Sequence, residues 1–275
     1  MKNLTTSLAL LILFVCFNAC KPDQPTPVES NLPENCVLTK VTQSDGGYDE
    51  YSFDSQKLLL GIKSYFNGKL DGEVKNTYDT EGKIISQILF FGRAVYTYNG
   101  TVLTRVQILD TSNLLMGELI PTFDANGRFS TITVQKTNKD FRIYEGVTST
   151  YSYDNAGNCT KIDISNAGIV IQRVEYSNFV PVISHFTKYK GLYFDPMAYS
   201  PAIFLTNAQP LKFPNTSFQN IKSYSALDQN GKYTGKLVLE SDETITRKGN
   251  ISGMIVERAS SFGGKPTVFE YTGCN

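Results

Sequence analysis

The chain has 275 residues, with 26 basic and 26 acidic side chains and a formal net charge of zero. That length allows one large or two small domains with a substantial core, and the balanced charge gives no electrostatic footprint for nucleic acid. With 16 Tyr, 17 Phe, no Trp and a single His, the composition favours strands over helices.

Residues 1–3 are mildly basic, residues 8–17 (LALLILFVCF) are an unbroken apolar run, and residues 18–20 (NAC) close it. A basic tip, a short apolar stretch and a small residue at the cut describe a secretory signal, whereas a membrane span needs about 20 apolar residues. The small-residue-then-cysteine ending resembles a bacterial lipobox, with Asn18 and Phe17 in place of the usual small and aliphatic residues. The resemblance implies a signal peptide over residues 1–19 and acyl chains on Cys20. The implied location is the Gram-negative cell envelope, at the outer membrane, with the lipid as a link to the bilayer. Ordinary secretion with a cut after Ala19 would place Phe17 at a position that wants a small residue.

Residues 21–34 (KPDQPTPVESNLPE) hold four prolines and almost nothing apolar. At about 3.1 Å per residue they form a tether reaching roughly 40 Å. The chain therefore divides into a signal (1–19), a lipid-anchored tether (20–35) and one domain (36–275).

Within that domain a unit recurs: aromatic-x-aromatic-Asp, a turn with glycine, a basic residue, an apolar residue, and isoleucine or valine three further on. The clearest copy is Tyr151-Ser152-Tyr153-Asp154-Asn155-Ala156-Gly157-Asn158-Cys159-Thr160-Lys161-Ile162. Others begin at Thr77-Tyr78-Asp79 and Thr122-Phe123-Asp124, with degenerate copies at Tyr51-Ser52-Phe53-Asp54, Tyr96-Thr97-Tyr98-Asn99-Gly100 and Leu227-Asp228. The early Asp or Asn positions 54, 79, 99, 124 and 154 are spaced by 25, 20, 25 and 30 residues, enough for two strands and two turns. Alternation at period two places one face inward. Asp caps each turn, glycine at positions such as 82, 127 and 157 supplies positive φ, and the basic residue after it belongs on the wet rim. One further stretch, residues 65–73, resembles a MORN-type hairpin.

These residues resemble the YD repeats of RHS-like proteins, and more closely a group of uncharacterised bacterial lipoproteins with degenerate versions of that repeat. The resemblance covers roughly residues 36–275 and implies an architecture without an assigned activity. The expected fold is all-β: an antiparallel meander of consecutive hairpins, curled into a twisted or barrel-like sheet. The pattern breaks over residues 178–220, where five prolines and many aromatics replace it, with helix-start patterns at Asp195-Pro196 and Ser200-Pro201. An irregular insertion of this length is a plug, a cap or a binding loop.

Five cysteines are present. Cys16 leaves with the signal and Cys20 carries lipid. Cys159 occupies an apolar position of the repeat and reads as a small buried hydrophobe. Cys36 and Cys274, at the two ends of the domain, are a candidate disulfide if the meander curls until its ends meet.

The sequence offers little catalytic chemistry. The Asp-x-Asn-Gly turns at positions 124–127 and 228–231 resemble the start of a calcium loop, but Gln135 and Leu239 stand where a closing Glu is needed. They read as Asp-capped turns, and no metal or cofactor is expected. His185 has no second histidine and no serine elbow, and reads as structural. Paired carboxylates for glycoside hydrolysis cannot be placed opposite one another from sequence. The aromatic insertion supplies candidate ligand contacts at Tyr189, Tyr193 and Tyr199, whose flat faces and polar tips suit a sugar or a protein. The expected role is a lipid-anchored envelope protein, non-catalytic, that binds or scaffolds; its partners are the membrane and an envelope protein or glycan. The alternative is an accessory binder of glycan or another small ligand, with a hydrolase behind it.

Overall fold

The computed structural model describes residues 36–180, 219–228, 232–249 and 255–273. Among them are sixteen strands, each antiparallel to the next. In chain order they are β1 (Val37–Thr42), β2 (Tyr48–Phe53), β3 (Leu59–Phe66), β4 (Lys69–Tyr78), β5 (Ile84–Leu89) and β6 (Gly92–Asn99). There follow β7 (Val102–Asp110), β8 (Leu115–Phe123), β9 (Phe129–Thr137), β10 (Thr148–Tyr153) and β11 (Cys159–Asn166). The last five are β12 (Ile169–Ser177), β13 (Asn220–Leu227), β14 (Tyr233–Gly249), β15 (Ile255–Ser260) and β16 (Thr267–Thr272). A 3-10 turn (Arg142–Tyr144) lies between β9 and β10.

The meander closes. β1 pairs with β16 as well as with β2, with Val37 opposite Thr272 and Thr42 opposite Val268. Closure satisfies the two edges that an open sheet would leave as templates for aggregation. The all-β antiparallel expectation holds, in its barrel form. Asn220 pairs with Ser177 at the start of β13; of the segment expected to be irregular, residues 181–218 lie outside the described residues. Cys36 is buried and disulfide-bonded; Cys274 lies outside the described residues.

A bulge gives the repeat its spacing. In each of five copies the register slips between the middle residue and the second aromatic: Ser52/Phe53, Thr77/Tyr78, Thr97/Tyr98, Thr122/Phe123 and Ser152/Tyr153. One extra residue then stands on the following strand (Leu60, Ile85, Thr104, Ser130, Thr160), and the strand bends and twists there. The extra residue converts the period-two spacing of inward side chains into a spacing of three. Leu59 and Ile62, Leu103 and Val106, Phe129 and Ile132, and Cys159 and Ile162 are accordingly all buried. Each bulge sits at the same end of the barrel, because each follows an even-numbered strand.

Burial divides the wall into two faces. Inward residues from most strands form one cluster that includes Leu38, Ile62, Val74, Ile84, Val106, Leu119, Ile162 and Phe269. Polar groups on this face are paired: Ser64 Oγ donates to Asp49 Oδ1 at 2.6 Å, and Tyr96 to Gln87 and Gln87 to Asn76 at 3.0 Å each. Such pairing is what makes burial of polar groups tolerable. The outward face of β11–β14 is charged. Arg173 is opposite Asp163 and bonds it at 2.6 Å, Lys161 reaches Asp163 at 3.0 Å, and Lys222 reaches Asp242 at 3.1 Å. Despite the cost of burial, hydrogen bonds from Arg173 and then Lys161 hold the Asp163 carboxyl below its usual range.

Candidate functional site

Four of the five turns on the rim that carries the bulges share one chemistry, and the fifth is the short Asn99–Gly100 turn between β6 and β7. Asp Oδ1 accepts backbone N–H groups two and four residues ahead: Gln56 and Leu58 for Asp54, Glu81 and Lys83 for Asp79, Asn126 and Arg128 for Asp124, all at 2.8–2.9 Å. Asp154 accepts from Asn158 N–H in the same way. The glycine of the turn closes it with φ of +79° at Gly82, +71° at Gly127 and +85° at Gly157, as the sequence predicts. The Asp124 turn is therefore a hairpin cap rather than half of a calcium loop. Asp228 belongs to the same chemistry, accepting from Lys232 N–H, but its turn is at the opposite end of the barrel. Asp110 caps a further turn at that opposite end, with N–H groups of Ser112 and Leu114 as donors. The sequence reading missed it because no aromatic pair precedes it.

Two devices close the seam between successive turns on the rim. The first is a hydroxyl. Tyr78, Tyr98 and Tyr153, each the second aromatic of its copy, donate to the carbonyls of Leu59, Ile84 and Phe129 at 2.9, 2.8 and 2.9 Å. Each acceptor is the first residue of the bulged strand in the preceding copy. Burial raises the pKa of Tyr78 and Tyr153, so the donors stay protonated. The second device is a cation. Lys83 Nζ sits 5.6 Å from the Tyr98 ring centroid and Arg128 4.3 Å from that of Tyr153. These basic residues stand on the rim as expected but are partly covered, with side chains 23% and 29% exposed. Each also turns back on its own capping aspartate. Arg128 meets Asp124 Oδ2 at 2.7 and 2.8 Å. Although burial opposes ionisation, these bonds and the backbone N–H groups keep the Asp124 carboxyl below the usual carboxylate range.

At one seam both devices are missing. Phe123 stands where Tyr78, Tyr98 and Tyr153 stand in their copies, and Val102 occupies the place of Lys83 and Arg128. Leu103, which pairs with Tyr98 at the bulge, is the matching acceptor position. There a cavity of about 610 Å³ opens, lined by Val102, Leu103, Phe123, Arg128, Phe129 and Tyr153 among others. The Phe123 and Phe129 rings stack at 4.9 Å with 26° between their planes. The floor is aromatic and the rim polar, and the volume falls within the 300–1,000 Å³ of small-ligand sites.

The sequence reading placed candidate contacts elsewhere. Tyr189, Tyr193, Tyr199 and His185 lie outside the described residues, as do Cys20 and Cys274. The cavity residues belong to repeat copies already recognised. The signal that could have singled them out is the missing oxygen at position 123. Among the described residues no group of three or more His, Cys, Asp or Glu is placed to hold a metal ion. Cys159 is fully buried, and burial pushes its thiol up to about 12.

No family model matches the chain, and no curated protein matches it. Solved structures do. A porin-like protein of Bacteroides uniformis superposes with a TM-score of 0.49 at 13% identity, over 88% of this chain and 96% of that one. A porin-like protein of Bacteroides vulgatus does so with a TM-score of 0.48 at 9% identity, over 86% and 98%. The Tc holotoxin pore of Photorhabdus luminescens matches over 87% of this chain and 15% of that one, with a TM-score of 0.30 at 12% identity. At these identities the likenesses do not say what this chain does.

Proposed function

We propose that this chain is a non-catalytic binding or scaffolding protein of the bacterial cell envelope, held to the outer membrane by acyl chains on Cys20, with its barrel standing in water. The observation that carries this reading is the division of the wall. A barrel that crosses a bilayer turns an apolar face to lipid, and a charge at mid-depth costs about 2–4 kcal/mol. Here the apolar face points inward, and the outward face of β11–β14 carries the ion pairs of Asp163, Arg173, Lys222 and Asp242. The lipid would then hold the protein and the wall would not. Several acyl chains, at about 0.8 kcal/mol per buried CH₂, suffice for that. The capping aspartates of the rim are committed to backbone N–H groups, which argues against their use as paired catalytic acids.

The test is fractionation of cells that express the full chain or its Cys20→Ser variant. The full chain should sediment with membranes and be extracted only by detergent. The variant should leave the membrane fraction and remain dissolved without detergent. A Cys20→Ser protein of wild-type mass that still needs detergent would refute both the anchor and the water-facing wall. The cavity beside Phe123 favours a second reading, an accessory binder of a glycan or another small ligand.

A further inference from the structure

We infer that the cavity between the turns at residues 99–102 and 124–128 binds a neutral pyranose sugar, one hydroxyl of which supplies the donor that Phe123 lacks. This rests on the binding reading above and gives it a site and a ligand class. Three other acceptors in the series, the carbonyls of Leu59, Ile84 and Phe129, each receive a tyrosine hydroxyl. Leu103 has the same register and the same bulge behind it, and the residue at the donor position, Phe123, has no hydroxyl to give its carbonyl. Leu103 lines the cavity, so an O–H donor seated there can take the place that a tyrosine hydroxyl holds in the other copies.

The remaining walls narrow the chemistry. Phe123, half-buried and backed on one side by the Phe129 ring, leaves its other face to suit the C–H face of a sugar ring. Asp124 and Arg128 neutralise each other at 2.7 Å, so the rim does not call for an ionic ligand. Arg128 and the Asn126 and Thr101 side chains supply polar groups at the edge for further hydroxyls. Val102, 52% exposed, leaves open the side that Lys83 and Arg128 close in their own copies.

The test uses the full chain purified in a detergent without a sugar head group, and a panel of methyl glycosides of glucose, galactose, mannose and N-acetylglucosamine. Saturation-transfer NMR and titration should find at least one glycoside binding in the low-millimolar range or tighter, typical of a single ring making few contacts. Phe123→Tyr should restore the missing bond, fill the acceptor and weaken that glycoside by about tenfold or more. Val102→Trp, which blocks the mouth from an exposed position, should weaken it as well, and serves if Phe123→Tyr folds poorly. Absence of binding by every glycoside, or equal binding to wild type and both variants, would overturn the proposal. So would binding of phenol but of no glycoside, which would make the cavity a site for small aromatic alcohols. None of these results would touch the anchor, which fractionation of Cys20→Ser decides separately.

Discussion

Removing one oxygen from Tyr153 tests whether the hydroxyl ladder holds the rim together. In Tyr153→Phe the ring stays, and with it the stack under Arg128 at 4.3 Å. What is lost is the 2.9 Å bond to the Phe129 carbonyl. A hydrogen bond of this kind contributes about 1 kcal/mol net, and stranding a buried carbonyl raises the cost to as much as 1–3 kcal/mol. Phe129 is only 5% exposed while Tyr153 is half-buried, so water reaches one side of the broken bond. We therefore expect a loss of about 1–2 kcal/mol. For a domain of this size that corresponds to a fall in Tm of roughly 2–8 °C. Urea unfolding of the full chain should show a lower midpoint with an unchanged slope, since the surface exposed on unfolding is the same. Tyr78→Phe should cost a similar amount, and because the two bonds share no partner the double variant should be additive within about 0.5 kcal/mol. Phe123→Tyr is the converse, an expected gain of up to about 1 kcal/mol at the Leu103 carbonyl. Losses below about 0.3 kcal/mol at both tyrosines would show that water replaces the hydroxyls without cost, and the ladder would have no structural role.

Gly127→Val should destabilise by about 1–2 kcal/mol, because φ is +71° and a β-branched residue is strained there. No atom lies within 4 Å of the added Cβ, so a loss that calorimetry finds negligible would refute the backbone argument. Gly72→Ala should also destabilise, for the opposite reason: its new Cβ would collide with the Phe90 ring. The carboxyls of Asp79, Asp124 and Asp163 are held below their unfolded values, so their contribution is complete above about pH 4 and is lost as pH falls through the folded values. Urea midpoints between pH 7 and pH 2.5 should fall, and Asp124→Asn should fall less steeply; an unchanged slope with pH in that variant would refute the assignment. Cys36 is disulfide-bonded and Val37 faces Thr272, so we expect Cys274 as its partner. Thiol titration of the denatured, lipidated protein should then find one free thiol, Cys159, and three would reject the bridge. Such a bridge would restrict the unfolded chain by roughly 5 kcal/mol on the loop-entropy account.

Local chemistry was legible in the sequence and long-range register was not. Asp79, Gly82 and Tyr78 announce a capped hairpin because the turn is made by residues a few positions apart. The spacing of three between Leu59 and Ile62 was visible too, but its cause was not. A bulge is defined by two residues on one strand facing one on another, and Gly61 and Leu59 face Ser52 and Phe53 only once the strands are paired. Closure depends on Val37 meeting Thr272, a contact between the two ends of the domain that leaves no trace in either segment. The partial cover over Lys83 and Arg128 was hidden for a related reason. A basic residue beside a turn ordinarily faces water, but the next copy here brings a tyrosine ring beneath it. The candidate tyrosines at 189, 193 and 199 were chosen for abundance of aromatic groups, whereas the cavity at Phe123 depends on the loss of one hydroxyl.

A closed barrel built of hairpins leaves a ligand few ways in. The interior is filled by the cluster around Ile62, Val106 and Ile162, and the described outer wall of β11–β14 is tied by ion pairs. The rim remains, and among its described residues the seams between repeat copies are closed in all but one case. Between the copies at 54 and 79, Leu58 is buried and the Tyr78 hydroxyl is bonded. Between those at 79 and 99, Lys83 reaches the Gly100 carbonyl at 3.2 Å while Tyr98 bonds Ile84. Between those at 124 and 154, Arg128 covers Tyr153. Three differences separate the remaining described seam from the two that carry both devices: Val102 for a basic residue, Phe123 for tyrosine, and a turn between Asn99 and Val102 that is one residue shorter and starts on Asn instead of Asp. A scaffold of this kind can therefore acquire a site by shortening one turn and omitting one cation and one hydroxyl at the same seam. The reverse changes, Val102→Lys with Phe123→Tyr, should close that cavity and leave the barrel intact.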